Sequence, residues 1–346
     1  MTDDRPGVSF VLPVRNGERW LEPALEAILA QADGRPMEVV AVDDRSTDRS
    51  AAILRRYAAS GRVRSIEGPG RGAAAAINLG IRAARHPIVC QVDQDVILQP
   101  GWADRVTAAL AAPDVGAAQG YYVVPADGGL WARVMGLDLE QRYSRIRGRH
   151  VDHVCTGNAA YRVEALRRVG LFDEALGYGY DNDMSYRLAA AGYRLAFCRD
   201  ARSVHRWREG FCGYLRQQYG FGYGRLDVVA KHRRRLAGDD VSGLGMILHA
   251  PAMLLVLVGG ALAGLLAAGG GPWRPTATAA GGLAALLALE RLAAGVGATL
   301  RFRDPAGLWF LPAHLCRDVA WAWALGVWAL RRLAGRPPRP GDSMAG

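Results

Sequence analysis

The stretch VCQVDQDVILQP, Val89 to Pro100, finishes an apolar run with Asp93 and Asp95, one residue apart. Two carboxylates so close repel each other unless a cation sits between them. Hard oxygen donors in that arrangement suit Mg2+ or Mn2+, with phosphate oxygens of a ligand completing the coordination shell. Two more acidic clusters share this character: Asp43 and Asp44 close the apolar run MEVVAVDD, while Asp181 and Asp183 open a stretch with helical spacing. A D-x-D occurs often by chance in surface loops, so its meaning depends on the element that carries it.

VSFVLPV (Val8 to Val14), MEVVAVDD (Met37 to Asp44), VRSIEG and PIVCQV read as strands that are apolar almost throughout. They alternate with helical patterns: Glu18 to Gln31, then RSTDRSAAILRRY with Ser46 or Thr47 as its N-cap, then RGAAAAINLGIRAAR. Such alternation predicts an α/β fold with a mostly parallel sheet flanked by helices. Ligands of these sheets sit outside the carboxyl ends of the strands, so Asp43–Asp44 and Asp93–Asp95 are expected in one crevice. Beyond Trp102, VGAAQGYYVV and YRLAFC read as further strands, Gly128 to Arg149 as partly helical, and Asp181 to Ala191 as helical.

Charge divides the chain. Before Ala201 lie 25 basic and 25 acidic residues; after it come 18 basic and 8 acidic, so the whole excess of +10 accompanies the most apolar segments. That pairing points to membrane lipids and, with a neutral N-terminal part, away from a nucleic-acid partner. Five scattered cysteines without C-x-x-C spacing fit a reducing compartment better than a disulfide framework and argue against a zinc site. The start, MTDDRPG, lacks a basic-then-apolar signal, which places the first domain in the cytoplasm.

From Gly243 the composition changes. Residues 244–268 carry no Asp, Glu, Lys or Arg and exceed the ~20 residues that span a bilayer. A second span is expected over 276–300, where Glu290 and Arg291 are costly unless they face the first helix. Basic residues precede the first span (Arg225, Lys231, Arg233, Arg234, Arg235) and follow the second (Arg301, Arg303), which predicts a hairpin with both ends on the cytoplasmic side. The Trp-rich run 308–333 reads as a helix lying in the membrane interface, followed by Arg336 and Arg339. The expected organisation is a catalytic domain over 1–225, a basic juxtamembrane linker over 226–242 and a membrane region over 243–346.

The ordered set VSFVLPVRNGERWLEPALEAILAQ, EVVAVDDRSTDRS, RGAAAAINLG and VDQDVILQPGW continues through CTGNAAYRVEALRRVGLFDEALGYGYDNDMSYRLAAAGYRL to VHRWRE. Over about Val8 to Glu209 it resembles the family 2 glycosyltransferases, which have the GT-A fold. The resemblance implies a nucleoside-diphosphate sugar as donor, Mg2+ or Mn2+ as cofactor, and inversion at the anomeric carbon. It implies that Pro13, Val14, Arg15, Asp43, Asp44, Arg71 and Asp93 hold the donor nucleotide. Asp95, with His205 of VHRWRE, would hold the metal. Asp181 aligns with the family's catalytic base, although Tyr180 stands where the family's G-E-D-x-D has Glu. Thr156, Gly157, Asn158, Tyr180 and Asp183 fall on the acceptor side. Asp181 or Asp183 has a competing reading as a helix cap, and 156–158 as an ordinary tight turn. Arg206-Trp207 is similar to the Q-x-x-R-W of processive synthases, but Ser203 occupies the Gln position, which favours transfer of a single sugar. Membrane residence suggests a lipid-linked or cell-envelope acceptor.

Two other classes stay open. An apolar strand followed by D-x-D-x-V-I also looks like the nucleophile strand of haloacid-dehalogenase-type phosphatases, with Asp93 attacking phosphorus. That chemistry needs a Lys ahead of a second acidic pair, yet the only lysine, Lys231, lies beyond Asp181–Asp183, and the motif is on the fourth strand instead of the first. A non-catalytic membrane scaffold is the other class; three acidic clusters ending separate elements argue for a charged ligand. GPGRGA has three glycines (Gly68, Gly70, Gly72) but not the spacing of a dinucleotide fingerprint.

Overall fold

The computed structural model describes residues 5–236 and 238–335; Arg336 and Arg339 of the basic tail lie outside them. An eight-stranded sheet forms the first unit. Its strands are β1 (Val8–Val14), β2 (Met37–Asp43), β3 (Arg64–Glu67), β4 (Ile88–Val92), β5 (Val96–Leu98), β6 (Val115–Val123), β7 (Asn158–Arg162) and β8 (Arg194–His205), in the order β3-β2-β1-β4-β7-β6-β8-β5. The first four pair in parallel, β7 runs antiparallel to both β4 and β6, and β8 is again parallel to β6. Only β7 and β5 therefore oppose the common direction, and the expected mostly parallel sheet holds.

The apolar runs are strands because both faces are covered. Every residue of β1 except Pro13 is buried, and so is all of β4. Pairing of β1 with β4 stops at Val11, so Pro13, which has no N–H to donate, sits where that neighbour has already peeled away. The flanking helices are α1 (Leu21–Leu29), α2 (Ser50–Ala59), α3 (Ala73–Ala83), α4 (Trp102–Ala109), α5 (Leu130–Arg145), α6 (Val163–Val169) and α7 (Tyr180–Ala190). One expected cap is corrected: α2 starts at Ser50, not after Ser46 or Thr47. The Ser46 hydroxyl accepts from Asn16 N–H at 3.0 Å, while Asp48 bonds the Ser50 N–H at 2.9 Å. The loop partners won Ser46 away from the helix.

The helix α8 (Phe211–Lys231) runs through residue 225, where the sequence suggested a boundary, and leads to α9 (Leu244–Ala268), α10 (Arg274–Phe302) and α11 (Phe310–Leu333). The α9 and α10 helices are long and apolar enough to cross a membrane, and only 11% and 22% of their most apolar windows are buried inside the protein. A soluble core helix would be mostly covered; Leu255, Leu265, Leu286, Leu289 and Leu300 here are exposed. Both outer ends of this hairpin meet α5: Arg142 donates to Val241 O just before α9, and Gln141 Nε2 to Ala294 O of α10 at 3.2 Å. Glu290 lies 3.6 Å from His249 of α9, as expected, but Arg291 turns elsewhere, forming a two-pronged pair with the buried Asp318 of α11. Within the protein α11 is a central strut. Its His314, Arg317 and Asp318 are buried, Tyr214 of α8 donates to Ala313 O at 3.0 Å, and Trp328 Nε1 donates to Asp227 of α8 at 2.8 Å.

Candidate active site

The carboxyl ends of β1, β2 and β4 lie side by side, so the segments leaving them meet. Arg15 follows β1, and its backbone is clamped by the middle residue of the D-Q-D: Arg15 N–H donates to Gln94 Oε1 at 2.8 Å, and Gln94 Nε2 donates to Arg15 O at 3.0 Å. Gly17 is required next to this clamp, since a Cβ there would strike the Gln94 amide. Asn16 and Arg45 both take positive φ, which lets the two loops turn sharply into the crevice.

The acidic pair after β2 divides its work. Asp44 is buried and accepts from the backbone N–H groups of Gly70 at 2.6 Å and Gly72 at 2.8 Å, fixing the loop before α3; Arg15 Nη1 approaches it at 3.7 Å. Asp43 is half-buried and accepts from Ser46 N–H at 3.0 Å. Arg71, carried by the loop that Asp44 holds, is exposed and paired with Glu174 at 3.0 Å.

At the end of β4 the chain turns back as β5, which leaves Asp93 to Asp95 at the bend. Asp93 Oδ1 accepts from Gln91 Nε2 at 2.8 Å. Burial, then the adjacent Asp95 charge, pushes the Asp93 carboxyl up to about 6; Asp181 adds to the same effect, which places it within electrostatic reach. The next loop packs beneath: Gly157 has φ +86°, accepts from Asp93 N–H, and donates to Gln91 Oε1, and any Cβ there would collide with Asp93. Asn158 is a core group whose Oδ1 accepts from Trp102 Nε1 at 2.6 Å, and Thr156 O accepts from the Tyr122 hydroxyl at 3.3 Å. These two residues support the bend.

The end of β8 pairs with β5 and delivers His205 opposite Val96. His205 Nε2 stands 3.3 Å from Asp95 Oδ1, and its ring is held between Tyr122 and Trp207, with centroids at 5.3 Å and 3.8 Å. Arg206 N–H donates to Asp95 O at 2.8 Å, and its guanidinium stacks over Trp20 at 4.6 Å. A cleft of about 270 Å³ opens beside this pair, lined by Trp20, Asp127, Arg206, Trp207 and Glu209 among others. Neither that cleft nor a larger cavity of about 410 Å³, lined by Arg82, Glu174, Arg187 and Lys231 among others, is lined by Asp43, Asp44, Asp93, Asp95 or Asp181.

At the start of α7, Asp181 and Asp183 separate sharply. Asp181 is half-buried, with His153 Nε2 at 3.4 Å from its Oδ2. Asp183 is fully buried: it takes Arg187 Nε and His232 Nε2 at 2.8 Å each and Lys231 Nζ at 2.7 Å. The sequence placed Asp183 on the acceptor side; its carboxylate is instead enclosed by Arg187, Lys231 and His232 and ties α7 to the end of α8. Neither residue caps the helix, whose N-cap is Gly179 in the left-handed conformation. Tyr180 packs edge-on against Phe172. His153 and Gln94 were missed by the sequence reading. Gln94 sat in plain view inside the D-x-D, whereas nothing in the spacing marks His153.

Residues 9–170 match the profile described as Glycosyl transferase family 2. Glycosyltransferase AglE of Haloferax volcanii is 28% identical over 233 residues, 66% of this chain and 76% of that protein. The pre-mycofactocin glycosyltransferase of Mycobacterium tuberculosis is 28% identical over 248 residues, 68% of this chain but 50% of its own length. Succinoglycan biosynthesis protein ExoA of Rhizobium meliloti is 26% identical over 232 residues, covering 65% and 70%. Among solved structures, the mannosyltransferase PcManGT of Pyrobaculum calidifontis, in complex with GDP-Man and Mn2+, aligns with 96% of this chain and 88% of its own at a TM-score of 0.59 and 24% identity, a likeness of fold. A sheet that gathers Asp43, the D-x-D and Asp181 at one edge is thus the GT-A architecture, and the chain is a glycosyltransferase that matches glycosyl transferase family 2 over residues 9–170.

Proposed function

We propose that the protein is a metal-dependent, inverting glycosyltransferase that moves one sugar from a nucleoside-diphosphate donor to a hydroxyl of a lipid-linked or cell-envelope acceptor at the cytoplasmic membrane face. The observation that carries this reading is the facing pair Asp95 Oδ1 and His205 Nε2, 3.3 Å apart, close in the chain to the destabilised Asp93 and to the cleft-lining Arg206 and Trp207. Two ligands of one Mg2+ or Mn2+ ion, each bound at ~2.1 Å and roughly at right angles, are about 3 Å apart, so these two atoms fit such an ion. The donor set is oxygen and imidazole, and Asp93 gains from any nearby positive charge. When bound, the cation would offset the charge that builds on the departing diphosphate.

The chain's own groups supply the rest. Asp43, with Pro13, Val14 and Arg15 at the end of β1, holds the nucleoside, while Asp44 fixes the glycine loop that carries Arg71 toward it. Asp181 takes the acceptor hydroxyl proton as that oxygen attacks the anomeric carbon, and the bond from that carbon to the diphosphate oxygen breaks on the opposite side. The acceptor class is supported by the two exposed apolar helices and by the succinoglycan role in the name of one relative. The basic residues flanking the hairpin, whose ends both meet α5, support the cytoplasmic side. Thermal shift with UDP, GDP and dTDP, each with and without Mn2+, tests the donor site; a midpoint that no nucleotide raises in the presence of Mn2+ refutes it. Transfer confined to water-soluble acceptors, with membrane extracts ignored, would remove the acceptor class.

A further inference from the structure

His153, Cys155 and Asp181 form a cluster that the transfer reaction does not require as a whole. His153 Nε2 lies 3.4 Å from Asp181 Oδ2 and 3.9 Å from Cys155 Sγ, and the three potential ligand atoms fall within 4.8 Å of one another. The His153 side chain is 7% exposed, and its other nitrogen, Nδ1, has no hydrogen-bond partner among the described residues. Nε2 is thus the nitrogen that faces the cluster, within reach of both neighbours. Cys155 and Asp181 are only half-buried, so the cluster can be reached from the site.

Zinc-ligand bonds of ~2.3 Å to sulfur and ~2.0 to 2.1 Å to nitrogen and oxygen, in tetrahedral geometry, put the ligand atoms of one ion about 3.3 to 3.6 Å apart. The His153–Asp181 edge already has that length, and the His153–Cys155 edge exceeds it by a few tenths of an ångström. A thiolate, a carboxylate and a neutral imidazole balance a divalent charge. Their softness differs from that of the Asp95–His205 pair, so the two sites select different ions.

We propose that His153, Cys155 and Asp181 bind a thiophilic divalent cation, Zn2+ or Cd2+, and that its binding blocks glycosyl transfer by occupying Asp181. On binding, the proton of the Cys155 thiol and that on His153 Nε2 pass to solvent, the metal–sulfur and metal–nitrogen bonds form, and the fourth position stays with water. The inhibitory half rests on Asp181 acting as the base; the binding half does not.

The test uses the full-length protein with Mn2+ present. Titration with Cd2+ is followed by the ultraviolet thiolate-to-cadmium charge-transfer band. Wild type shows the band, Cys155→Ser loses it, and His153→Gln and Asp181→Asn keep it with affinity weakened about tenfold or more. No band in wild type, or an unchanged titration in Cys155→Ser, overturns the site. Using both His153→Gln and Asp181→Asn guards against one of them failing to fold. In the activity arm, Zn2+ inhibits wild type, and Cys155→Ser turns over normally and resists. A Cys155-dependent band without inhibition upholds the binding site and counts against Asp181 as base, so the two failures are told apart.

Discussion

At the scale of the residue, the two acidic pairs show how identical side chains take different roles from their neighbours. Asp95 faces His205 and Asp181 faces His153, so each has an oxygen beside an imidazole. Asp95→Ala and Asp181→Asn are each expected to lower kcat/KM by at least about 10²-fold, with the thermal midpoint of the free protein kept, in a donor-consumption assay. Full activity in either variant would end the roles assigned to them. Asp93 makes a pH prediction. Its folded-state carboxyl is raised to about 6 by burial and by Asp95, so its contribution to stability is fully present below about pH 4 and is lost as pH rises through 6. In metal-free buffer the midpoint should therefore fall between about pH 4 and 6 through this group and level off above it, and Asp93→Asn should remove that component. A slope unchanged in Asp93→Asn would show that another group is responsible. The D-x-D, Asp43 and Asp181 were legible in the sequence because acids ending or opening apolar-patterned elements are conspicuous. Asp44's capture by two glycine N–H groups and His153's approach were not, since both depend on loop paths that no periodicity encodes.

At the scale of the element, the bend between β4 and β5 and the junction of α7 with α8 position the site. Gly157 lies under the bend with φ +86° and no room for a Cβ. Gly157→Ala should cost on the order of 1 to 2 kcal/mol from the backbone alone and displace Asp93, read as a lower midpoint together with lost transfer. A variant with normal stability and turnover would contradict this geometry. At the other junction, the buried Asp183 carboxylate accepts from Arg187, Lys231 and His232. Asp183→Ala removes these charge-assisted bonds while Arg187 and Lys231 keep access to solvent, and a loss of about 1.5 to 3 kcal/mol is expected by denaturant unfolding. A loss below ~1 kcal/mol would mean that water reaches this cluster. The apolar strands and the helices between them were readable from continuous burial. The short β5 and the reversed β7 were not, because three to five residues give no period to count and strand direction is settled by pairing.

At the scale of the whole molecule, the catalytic unit and the apolar helices are not joined by a passive linker. Asp138 of α5 accepts from Arg142 at 2.9 Å and lies within 3.4 Å of Arg317 on α11, while Arg291 of α10 grips Asp318. Arg317→Leu should therefore lower both the midpoint in detergent and transfer, whereas truncation before Gly243 should release the catalytic unit from membranes but leave it prone to aggregate through surface that α9 to α11 now cover. Intact stability after Arg317→Leu would show that the docking is apolar alone. The apolar hairpin was legible from length and composition, and the basic flanks gave its orientation as an expectation. The buried polar face of α11 was not, because its Trp-rich pattern suits a lipid surface as well as a protein one.

The course of α8 has one more implication. It meets α11 through Tyr214 near its start and Asp227 near its end, its last residue, Lys231, pairs with Asp183 of α7, and Asp181 sits two residues before Asp183. Held in a bilayer, such a girder would fix the height of the Asp181 carboxylate, the proposed base, above the lipid headgroups. Reach toward the second substrate then becomes a ruler cut by helix length, and the enzyme would choose among acceptors partly by how far each hydroxyl stands from the membrane.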